Sequence, residues 1–413
     1  MIKIYPSTIQ GQIKAPGSKP HAQRLLFMAS MAATPTRIKN VPKCNDIDTT
    51  IGCLTDLGCQ ISRNVTGDEV VVSPFPKTSP MPNVVLNFKD SATTARMAIA
   101  LCGALGIKAD CKATGNLLKR KMIQLTGRLA LRGVTFTGFS LPFEQSGRMA
   151  AGEYEFSGDE GSQAISAIMM FASCLLNDSQ LKLTSPLKDK TFLKLTQSSM
   201  EQFGVKIEET EDGYHVIGRQ FYQSPKTVSA ESDWALAAMW VLAGAASGRK
   251  GTGVTVEGLD PNSPQLYRNL EQVNALLYHD FLDINIDATM APNLATIYAA
   301  LAIVQGASIH ISGVPQLKSK ETDRLAAMVD IAKQFDLEAY ETEDGIEIEG
   351  DGYPVYPDTP IDCKGDPWVF MSMVLASTKA HSPIILANEH EGEKAYKDFL
   401  DDFETLGGKF EII

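Results

Sequence analysis

The chain has 413 residues, of which 44% are apolar and 21% are charged, and its formal charge is −11. This length is enough for two or three domains with large cores, and the composition is typical of a globular protein. The acidic balance argues against nucleic acid as the main partner, so an anionic ligand would need cations gathered at one place.

Secretion, membrane insertion and metal binding have no clear signal in the sequence. The first residues lack an apolar segment with a cleavage site, and the apolar runs are shorter than the ~20 residues of a spanning helix, so we expect a cytoplasmic protein. The seven cysteines form no CxxC pair and the six histidines no HExxH motif. This favours buried free thiols and no metal site. The acidic stretch NEHEGEK at 388–394 could attract a divalent ion, but a surface turn is the simpler interpretation.

The first candidate site is the stretch PGSKPHAQR at residues 16–24. We predict that a helix begins at Pro20, because proline at the first helical position loses no hydrogen bond and already has a suitable φ. Lys19 and Arg24 then lie near the positive end of the helix dipole, which is a good place for an anion. An ordinary helix start is the alternative interpretation.

Three further stretches are also candidates for binding anions. KDSATTARM at 89–97 and GDEGSQAISAI at 158–168 are small-residue turns before helices, and TGNLLKRKM at 114–122 is a basic loop. Each alone is typical of a helix start. Together they offer several helix N-termini and basic side chains for binding phosphate groups.

A short pattern recurs six times along the chain: the end of an apolar-periodic helix, a residue that tolerates positive φ, and then an alternating strand. The positive-φ positions are Gly58, Gly133, Gly204, Asn274, Asp336 and Gly407. Six units of about 70 residues follow, which predict sheets backed by helices. Because three units precede residue ~231 and three follow it, we also expect two similar lobes with a cleft between them. The alternative is that many unrelated α/β proteins end their helices in this way.

The stretch LKSKETDRLAAM at 317–328 gives the strongest charge signal. We predict that Lys320 and Arg324 lie on one helical face, where two like charges at i,i+4 are unfavourable unless an anion offsets them. Glu321 either pairs with Arg324 or transfers a proton next to these cations.

These motifs together resemble the EPSP synthases (3-phosphoshikimate 1-carboxyvinyltransferases) of the enolpyruvyl transferase family over essentially the whole chain. The matching residues are PGSK with Arg24, Thr93, Thr94 and Arg96 in DSATTAR, Arg120, Ser162 and Gln163 in GSQ, KETDR at 320–324, and Lys394 before AYKDF. The resemblance implies an α/β fold with two lobes, each of three βαβαββ repeats in an inside-out barrel-like arrangement, and an active site in the cleft between them. It places the first lobe at 18–231 and the second at 1–17 plus 232–413.

The resemblance also implies a reaction and a set of site residues. The family transfers the enolpyruvyl group of phosphoenolpyruvate to the 5-hydroxyl of shikimate 3-phosphate through a tetrahedral intermediate, and it needs no cofactor. Glu321 would exchange a proton with the vinyl carbon, assisted by Lys19. We expect the protein to be a monomer. Shikimate 3-phosphate would contact Lys19, Arg24, Ser162, Gln163 and Lys320. Phosphoenolpyruvate would contact Lys19, Thr93, Arg120, Arg324 and Lys394.

Several positions depart from the family pattern. The departures are Pro20, Asp90, Ala92, Gly161, Asp189, Phe192, Asn293, Gln316, Pro367 and Trp368. Asn293 stands in place of an aspartate and cannot accept a proton at neutral pH. Trp368 stands in place of an arginine that binds phosphoenolpyruvate, which is a loss of ~2 to 3 kcal/mol of charge-assisted hydrogen bonding.

Two other interpretations follow from these departures. One is a divergent member that binds a phosphorylated metabolite with lost or altered catalysis, although Lys19, Arg120, KETDR and Lys394 are retained. The other is the sister enzyme acting on UDP-N-acetylglucosamine. It fits less well, because the KETDR motif is not part of its pattern. Its phosphoenolpyruvate loop also usually carries a cysteine, and this chain has none between Lys112 and Lys119.

Overall fold

The computed structural model describes residues 1–75, 83–158, 162–187, 190–248, 253–265, 284–320 and 322–413. The helices in this part of the chain are α1 (Lys19–Met31), α2 (Asn45–Asp56), α3 (Ala92–Leu105), α4 (Ile123–Ala130), α5 (Ser162–Ala172), α6 (Thr191–Gln202), α7 (Trp234–Ser247), α8 (Ala295–Gln305), α9 (Arg324–Gln334), α10 (Pro367–Ser377) and α11 (Phe399–Thr405). No helix there is long and apolar enough to cross a membrane.

The strands of the same ranges are all short. They are β1 (Ile2–Tyr5), β2 (Gly11–Lys14), β3 (Thr36–Lys39), β4 (Gln60–Arg63), β5 (Val70–Ser73), β6 (Val84–Asn87), β7 (Ala109–Lys112), β8 (Val134–Phe136), β9 (Phe143–Gly147), β10 (Glu153–Phe156), β11 (Ser179–Leu183), β12 (Ile207–Thr210), β13 (Gly213–Val216), β14 (Thr227–Ser229), β15 (Val254–Glu257), β16 (Ile284–Asp287), β17 (Ile309–Ser312), β18 (Glu338–Glu341), β19 (Ile346–Glu349), β20 (Ile384–Leu386) and β21 (Lys409–Ile412).

The chain divides into two compact units. Gly17–Glu231 form one, here called the continuous unit, and Met1–Pro16 with Ser232–Ile413 form the other, the composite unit. Each unit has its own hydrophobic core. Phe27 packs edge-on against Phe171 in the continuous unit, with ring centroids 6.2 Å apart, and Trp240 packs against Phe399 in the composite unit at 5.2 Å.

Three four-stranded sheets share one topology: β6-β7-β9-β8, β10-β11-β13-β12 and β16-β17-β19-β18. In each sheet the first two strands are parallel and the other pairs are antiparallel. A helix follows each of the first two strands, because parallel neighbours need a crossover connection. This is the βαβαββ repeat, and it confirms the mixed α/β fold that the sequence predicts.

The remaining sheets combine strands that are distant along the chain. In β14-β3-β5-β4 the first strand comes from the end of the continuous unit, and β14 runs parallel to β3. In the composite unit β1 lies between β20 and β21, and β2 pairs with β15. The chain therefore closes each unit with segments far apart in sequence.

The recurring helix ends have the predicted backbone. Within the described ranges, φ is positive at Gly58 (98°), Gly133 (98°), Gly204 (77°), Asp336 (60°) and Gly407 (102°). A helix ends shortly before each of these residues and a strand follows. The sixth position, Asn274, lies outside the described residues. The seven cysteines are free thiols, as expected, and burial raises the pKa of Cys44 to about 12.

Candidate active site

The start of α1 forms the first part of the candidate site. A Cβ on Gly17 would collide with the carbonyl group of Asn40, so only glycine fits at this position. The helix begins at Lys19, one residue earlier than predicted, and Pro20 lies in its first turn. The Nζ atom of Lys19 lies 2.8 Å from Oδ2 of Asp46, a nearly buried carboxylate on α2.

Arg24 is a buried cation whose hydrogen-bond partners are neutral. Its Nε donates to Oγ1 of Thr196 (2.7 Å), Nη1 to the carbonyl of Pro20 (2.7 Å) and Nη2 to Oγ of Ser166 (3.2 Å). The ring of Phe192 lies 5.7 Å from the guanidinium carbon. Burial lowers the pKa of Arg24 to about 9, so the group still carries its charge at neutral pH. Because a buried charge is costly without a counter-charge, this arrangement suits an anionic ligand.

Two of the predicted site residues, Thr93 and Gln163, come together at the starts of α3 and α5. Nε2 of Gln163 donates to Oγ1 of Thr93 (3.2 Å), and Nη1 of Arg96 donates to Oε1 of Gln163 (2.9 Å). Ser162, the first residue of α5, is partly exposed beside Gln163. The two helix N-termini and their polar side chains therefore converge in the continuous unit, as a phosphate site requires.

A network of buried polar side chains lies next to the start of α3. Nε2 of Gln23 lies 3.1 Å from Oγ1 of both Thr50 and Thr94, and the Thr94 hydroxyl lies 2.8 Å from that of Ser91. These side chains are buried and link α1, α2 and the start of α3. No local sequence signal predicts this network, because its members are up to 71 residues apart.

Arg120 follows a short 3-10 turn, Gly115–Lys119, and is partly exposed. This turn is fixed by Asp90, whose Oδ1 accepts a hydrogen bond from the backbone N–H of Leu117 at 2.7 Å. Asp90 is one of the departures from the family pattern. In this chain it anchors the basic loop to the turn that opens α3.

In the composite unit, Arg324 is held on several sides. Its Nε donates to Oδ2 of Asp366 at 2.8 Å, and its Nη1 donates to Oδ1 of Asn293 at 3.1 Å. The indole ring of Trp368 lies 5.8 Å from the guanidinium carbon. Arg324 is 2% exposed and Asp366 is fully buried. Two departures, Asn293 and Trp368, thus contact the same arginine.

Asp366 also begins α10. Its Oδ1 accepts hydrogen bonds from the backbone N–H groups of Trp368 (2.9 Å) and Val369 (3.3 Å), which is an N-cap, and Pro367 occupies the first turn. An aspartate directly before a proline is a sequence signal for a capped helix start. One carboxylate therefore caps the helix and balances the charge of Arg324.

The prediction that Lys320 and Arg324 share a helical face is wrong. Helix α9 begins only at Arg324, because the side chain of Asp323 accepts a hydrogen bond from the backbone N–H of Ala326 (3.1 Å) and caps the helix there. Lys320 instead ends the 3-10 turn Pro315–Ser319, with ψ of −149°. Leu325, Met328, Val329 and Ala332, which recur at helical spacing along α9, are buried.

The other predicted site residues are as follows. Lys394 is partly exposed at the end of a 3-10 turn, Glu391–Lys394, in the composite unit. Glu321, Gly161 and Asp189 lie outside the described residues.

Sequence reasoning missed Asp46 as the partner of Lys19 and Asp366 as the partner of Arg324. These partners are 27 and 42 residues away in the chain, so local patterns do not reveal them.

Comparisons with known proteins agree with this fold. The solved EPSP synthase from Acinetobacter baumannii superposes with a TM-score of 0.77 at 19% identity, covering 100% of this chain and 99% of that one, and so has the same fold. Proteins named 3-phosphoshikimate 1-carboxyvinyltransferase match along nearly all of their length. The one from Methanocorpusculum labreanum is 28% identical over 97% of both chains, and the one from Saccharolobus solfataricus is 27% identical over 100% of both.

The family comparison identifies the group to which these relatives belong. The profile of the family described as EPSP synthase (3-phosphoshikimate 1-carboxyvinyltransferase) matches residues 4–403. The resemblance read from the motifs is thereby confirmed over nearly the whole chain. The chain belongs to the EPSP synthase family.

Proposed function

We propose that this chain transfers the enolpyruvyl group of phosphoenolpyruvate to the 5-hydroxyl of shikimate 3-phosphate and releases phosphate. Family membership supports the reaction, and the observation that carries it within the site is Arg24. This guanidinium is 2% exposed and forms no ion pair in the part of the chain that the structure describes. An anionic substrate supplies the missing counter-charge, and both substrates are anions.

The proposed roles of the side chains follow the resemblance to the family. Lys19, Arg24, Ser162, Gln163 and Lys320 bind shikimate 3-phosphate. Phosphoenolpyruvate is bound by Lys19, Thr93, Arg120, Arg324 and Lys394. Arg324 is already held by Asp366 and Asn293, so it needs little reorganisation to receive an anion.

Addition and elimination each move one proton at carbon. In the addition the substrate hydroxyl oxygen bonds to C2 of phosphoenolpyruvate and its proton passes to solvent, while C3 gains a proton from the acid, which gives the tetrahedral intermediate. In the elimination C3 loses a proton and the C2–O bond to phosphate breaks. Glu321 is our candidate for both proton transfers at C3, assisted by Lys19, because its protonated carboxyl group can act as acid in the addition and the resulting carboxylate as base in the elimination. Asn293 cannot accept the hydroxyl proton.

The proposal also includes the domain organisation, the oligomeric state and the location of the protein. We take the two units to be the two lobes, each with three repeats, and we expect a cytoplasmic monomer that needs no cofactor. Two observations support the lobes: three sheets share the βαβαββ topology, and a positive φ follows the described helix ends of the repeats.

The test is phosphate release by the purified protein with both substrates, compared with Glu321→Gln. The glutamine keeps the shape but not the base, so we expect turnover to fall by about 10²-fold or more with the KM values little changed. Glu338→Gln on β18, an exposed position, is the matched control and keeps full turnover. Equal rates for Glu321→Gln and the control would remove Glu321 from the mechanism.

A second candidate function is binding of a phosphorylated metabolite without this turnover. Trp368 favours it, because its ring packs against Arg324 where the family has a second arginine. Calorimetric binding of either substrate without phosphate release, when both are present, would support this alternative.

A further inference from the structure

Arg24 lies where three helices of the continuous unit meet. It belongs to α1, and two of its hydrogen-bond acceptors come from other helices: Ser166 from α5 and Thr196 from α6. All three side chains are buried, with Arg24 2% exposed and both hydroxyl residues 0% exposed. Because bulk water does not reach these hydroxyl groups, the protein itself sets the orientation of the guanidinium.

The two hydroxyl groups act as one pair of acceptors. Oγ1 of Thr196 accepts from Nε of Arg24 at 2.7 Å, Oγ of Ser166 accepts from Nη2 at 3.2 Å, and the two oxygens are 2.9 Å apart. A hydroxyl group has one hydrogen and two lone pairs, so it can accept from the guanidinium and still take part in a second hydrogen bond. The pair therefore occupies the edge formed by Nε and Nη2, as the two oxygens of a carboxylate would.

The N–H groups of Arg24 that these contacts do not use lie on its two terminal nitrogens. An arginine side chain has five N–H groups, one on Nε and two on each terminal nitrogen. Thr196, Ser166 and the carbonyl oxygen of Pro20 each accept one of them. Within the described ranges, one N–H group on Nη1 and one on Nη2 have no acceptor. Two such neighbouring groups can bind two oxygens of one carboxylate or phosphate group.

Helix α5 connects this contact with the proposed binding site for shikimate 3-phosphate. Ser166 lies one turn after Ser162, the first residue of α5, and residues four apart share a helix face. Ser162 is partly exposed, whereas Ser166 is buried. The hydroxyl group that holds Nη2 is therefore one turn below the helix N-terminus that we assign to the same substrate. The ring of Phe192, 5.7 Å from the guanidinium carbon, further limits how the group can turn.

We propose that Thr196 and Ser166 are positioning residues for shikimate 3-phosphate: they hold Nε and Nη2 of Arg24, so that its remaining N–H groups receive two oxygens of one anionic group of the substrate. The inference rests on the proposed function, because it takes Arg24 to bind this substrate. Both hydroxyl groups are buried and act only through the guanidinium. A group that is fixed before binding loses little freedom when the substrate arrives, which favours binding.

The main test replaces the hydroxyl group of Thr196 with a methyl group. Thr196→Val keeps the shape of the side chain but leaves the Nε–H of Arg24 without its acceptor, so the guanidinium turns toward another one. The KM for shikimate 3-phosphate, measured by phosphate release with saturating phosphoenolpyruvate, is expected to rise about three- to tenfold, with kcat and the KM for phosphoenolpyruvate little changed. Thr196→Ser restores the hydroxyl group and should keep the KM within about twofold of the wild type.

Thr126→Val is the matched control. Thr126 is also 0% exposed, and its Oγ1 lies 3.1 Å from the carbonyl oxygen of Met122, four residues earlier, just as Oγ1 of Thr196 lies 2.7 Å from that of Phe192. None of the hydrogen bonds of Arg24 in the described ranges goes to Thr126. The control is therefore expected to lose stability but keep both KM values. No rise for Thr196→Val, or a rise shared by the control or by Thr196→Ser, overturns the positioning role.

Ser166→Ala tests the second hydroxyl group. Its contact with Nη2 is longer, at 3.2 Å, so we expect a smaller rise of the same KM, about two- to fourfold. Because both hydroxyl groups hold one guanidinium, the double variant with Thr196→Val is expected to raise the KM by less than the product of the two single effects. A full product would mean that the two groups act independently and would contradict their action as a pair.

A second measurement follows the guanidinium itself and needs no turnover. In heteronuclear NMR the Nε–H signal of Arg24, assigned by its loss in Arg24→Lys, is expected to exchange slowly with water because the group is buried and hydrogen-bonded. Thr196→Val is expected to speed this exchange by about tenfold or more, whereas Thr196→Ser and Thr126→Val keep the slow rate. Unchanged exchange in Thr196→Val overturns the hold on Arg24.

Failure of the proposed function gives a different result. A wild type that neither releases phosphate nor binds shikimate 3-phosphate in calorimetry contradicts the proposed function, and the NMR comparison then decides whether Thr196 holds Arg24. If shikimate 3-phosphate binds without turnover, its Kd takes the place of the KM. A rise in Kd for Thr196→Val that the Thr126→Val control does not show supports the positioning role, and equal Kd values overturn it.

Discussion

Asp366 serves two purposes, and two substitutions can separate them. Asp366→Ala removes both the cap of α10 and the partner of Arg324. Breaking a buried ion pair costs about 3 to 5 kcal/mol, because an uncompensated charge remains, and a lost N-cap costs about 1 kcal/mol. We therefore expect Asp366→Ala to lower the free energy of unfolding of the composite unit by about 4 to 6 kcal/mol.

Asp366→Asn keeps an acceptor for the cap, since asparagine is a good N-cap residue, but loses the charge. It should be about 1 kcal/mol less destabilising than Asp366→Ala. Adding Arg324→Met to Asp366→Asn removes the unpaired cation, so the double variant should regain about 2 kcal/mol relative to Asp366→Asn alone. This recovery would show that the cost comes from the unpaired charge of Arg324.

Urea unfolding followed by tryptophan fluorescence suits this test. The three tryptophans of the chain, Trp234, Trp240 and Trp368, all belong to the composite unit. Glu341→Gln is the control, because Glu341 pairs with Lys318 at 2.9 Å on a partly exposed surface where an ion pair is worth less than about 1 kcal/mol. A loss for Asp366→Ala no larger than that of this control would refute the reasoning.

Two further predictions concern the departures and the buried histidine. Restoring arginine at 368 together with histidine at 367 should tighten phosphoenolpyruvate binding about tenfold in calorimetry with shikimate 3-phosphate present, and unchanged binding would mean that other residues have taken over from the missing arginine. His21 is buried and its Nδ1 accepts a hydrogen bond from the backbone N–H of Glu231, and burial lowers its pKa from 6.5 to about 3. Between pH 7 and 4.5 the imidazole of His21 gains a proton in the unfolded chain but stays neutral in the folded protein. The stability of the continuous unit should therefore fall by about 2 kcal/mol over this range. His21→Asn should remove most of this slope in urea unfolding followed by circular dichroism, and an equal slope in both proteins would contradict the assignment.

Local signals in the sequence predict much of the fold. Gly58, Gly133, Gly204, Asp336 and Gly407 have positive φ as expected, because the left-handed conformation after a helix restricts the choice of residue. The buried stripe of α9 follows from the 3.6-residue period. Helix α9 begins later than a helical face shared by Lys320 and Arg324 would require, because Asp323 caps it at Arg324.

The candidate site is less predictable, because partners far apart in sequence determine its electrostatics. The resemblance implies that Trp368 stands in place of an arginine, but it does not imply that the indole lies against Arg324 or that Asn293 accepts a hydrogen bond from the same guanidinium. The pairing of Lys19 with Asp46 likewise depends on how α1 packs against α2. Such contacts arise from the three-dimensional arrangement of the repeats.

The position of β1 between β20 and β21 affects the order in which the chain can fold as it is synthesised. The continuous unit takes its last strand from Thr227–Ser229, so all its sheets can form once the ribosome has passed that point. Strand Ile2–Tyr5 instead pairs with Ile384–Leu386 and Lys409–Ile412, nearly the whole chain length later. This strand thus emerges long before its neighbours, and the composite unit has the high contact order that slows folding.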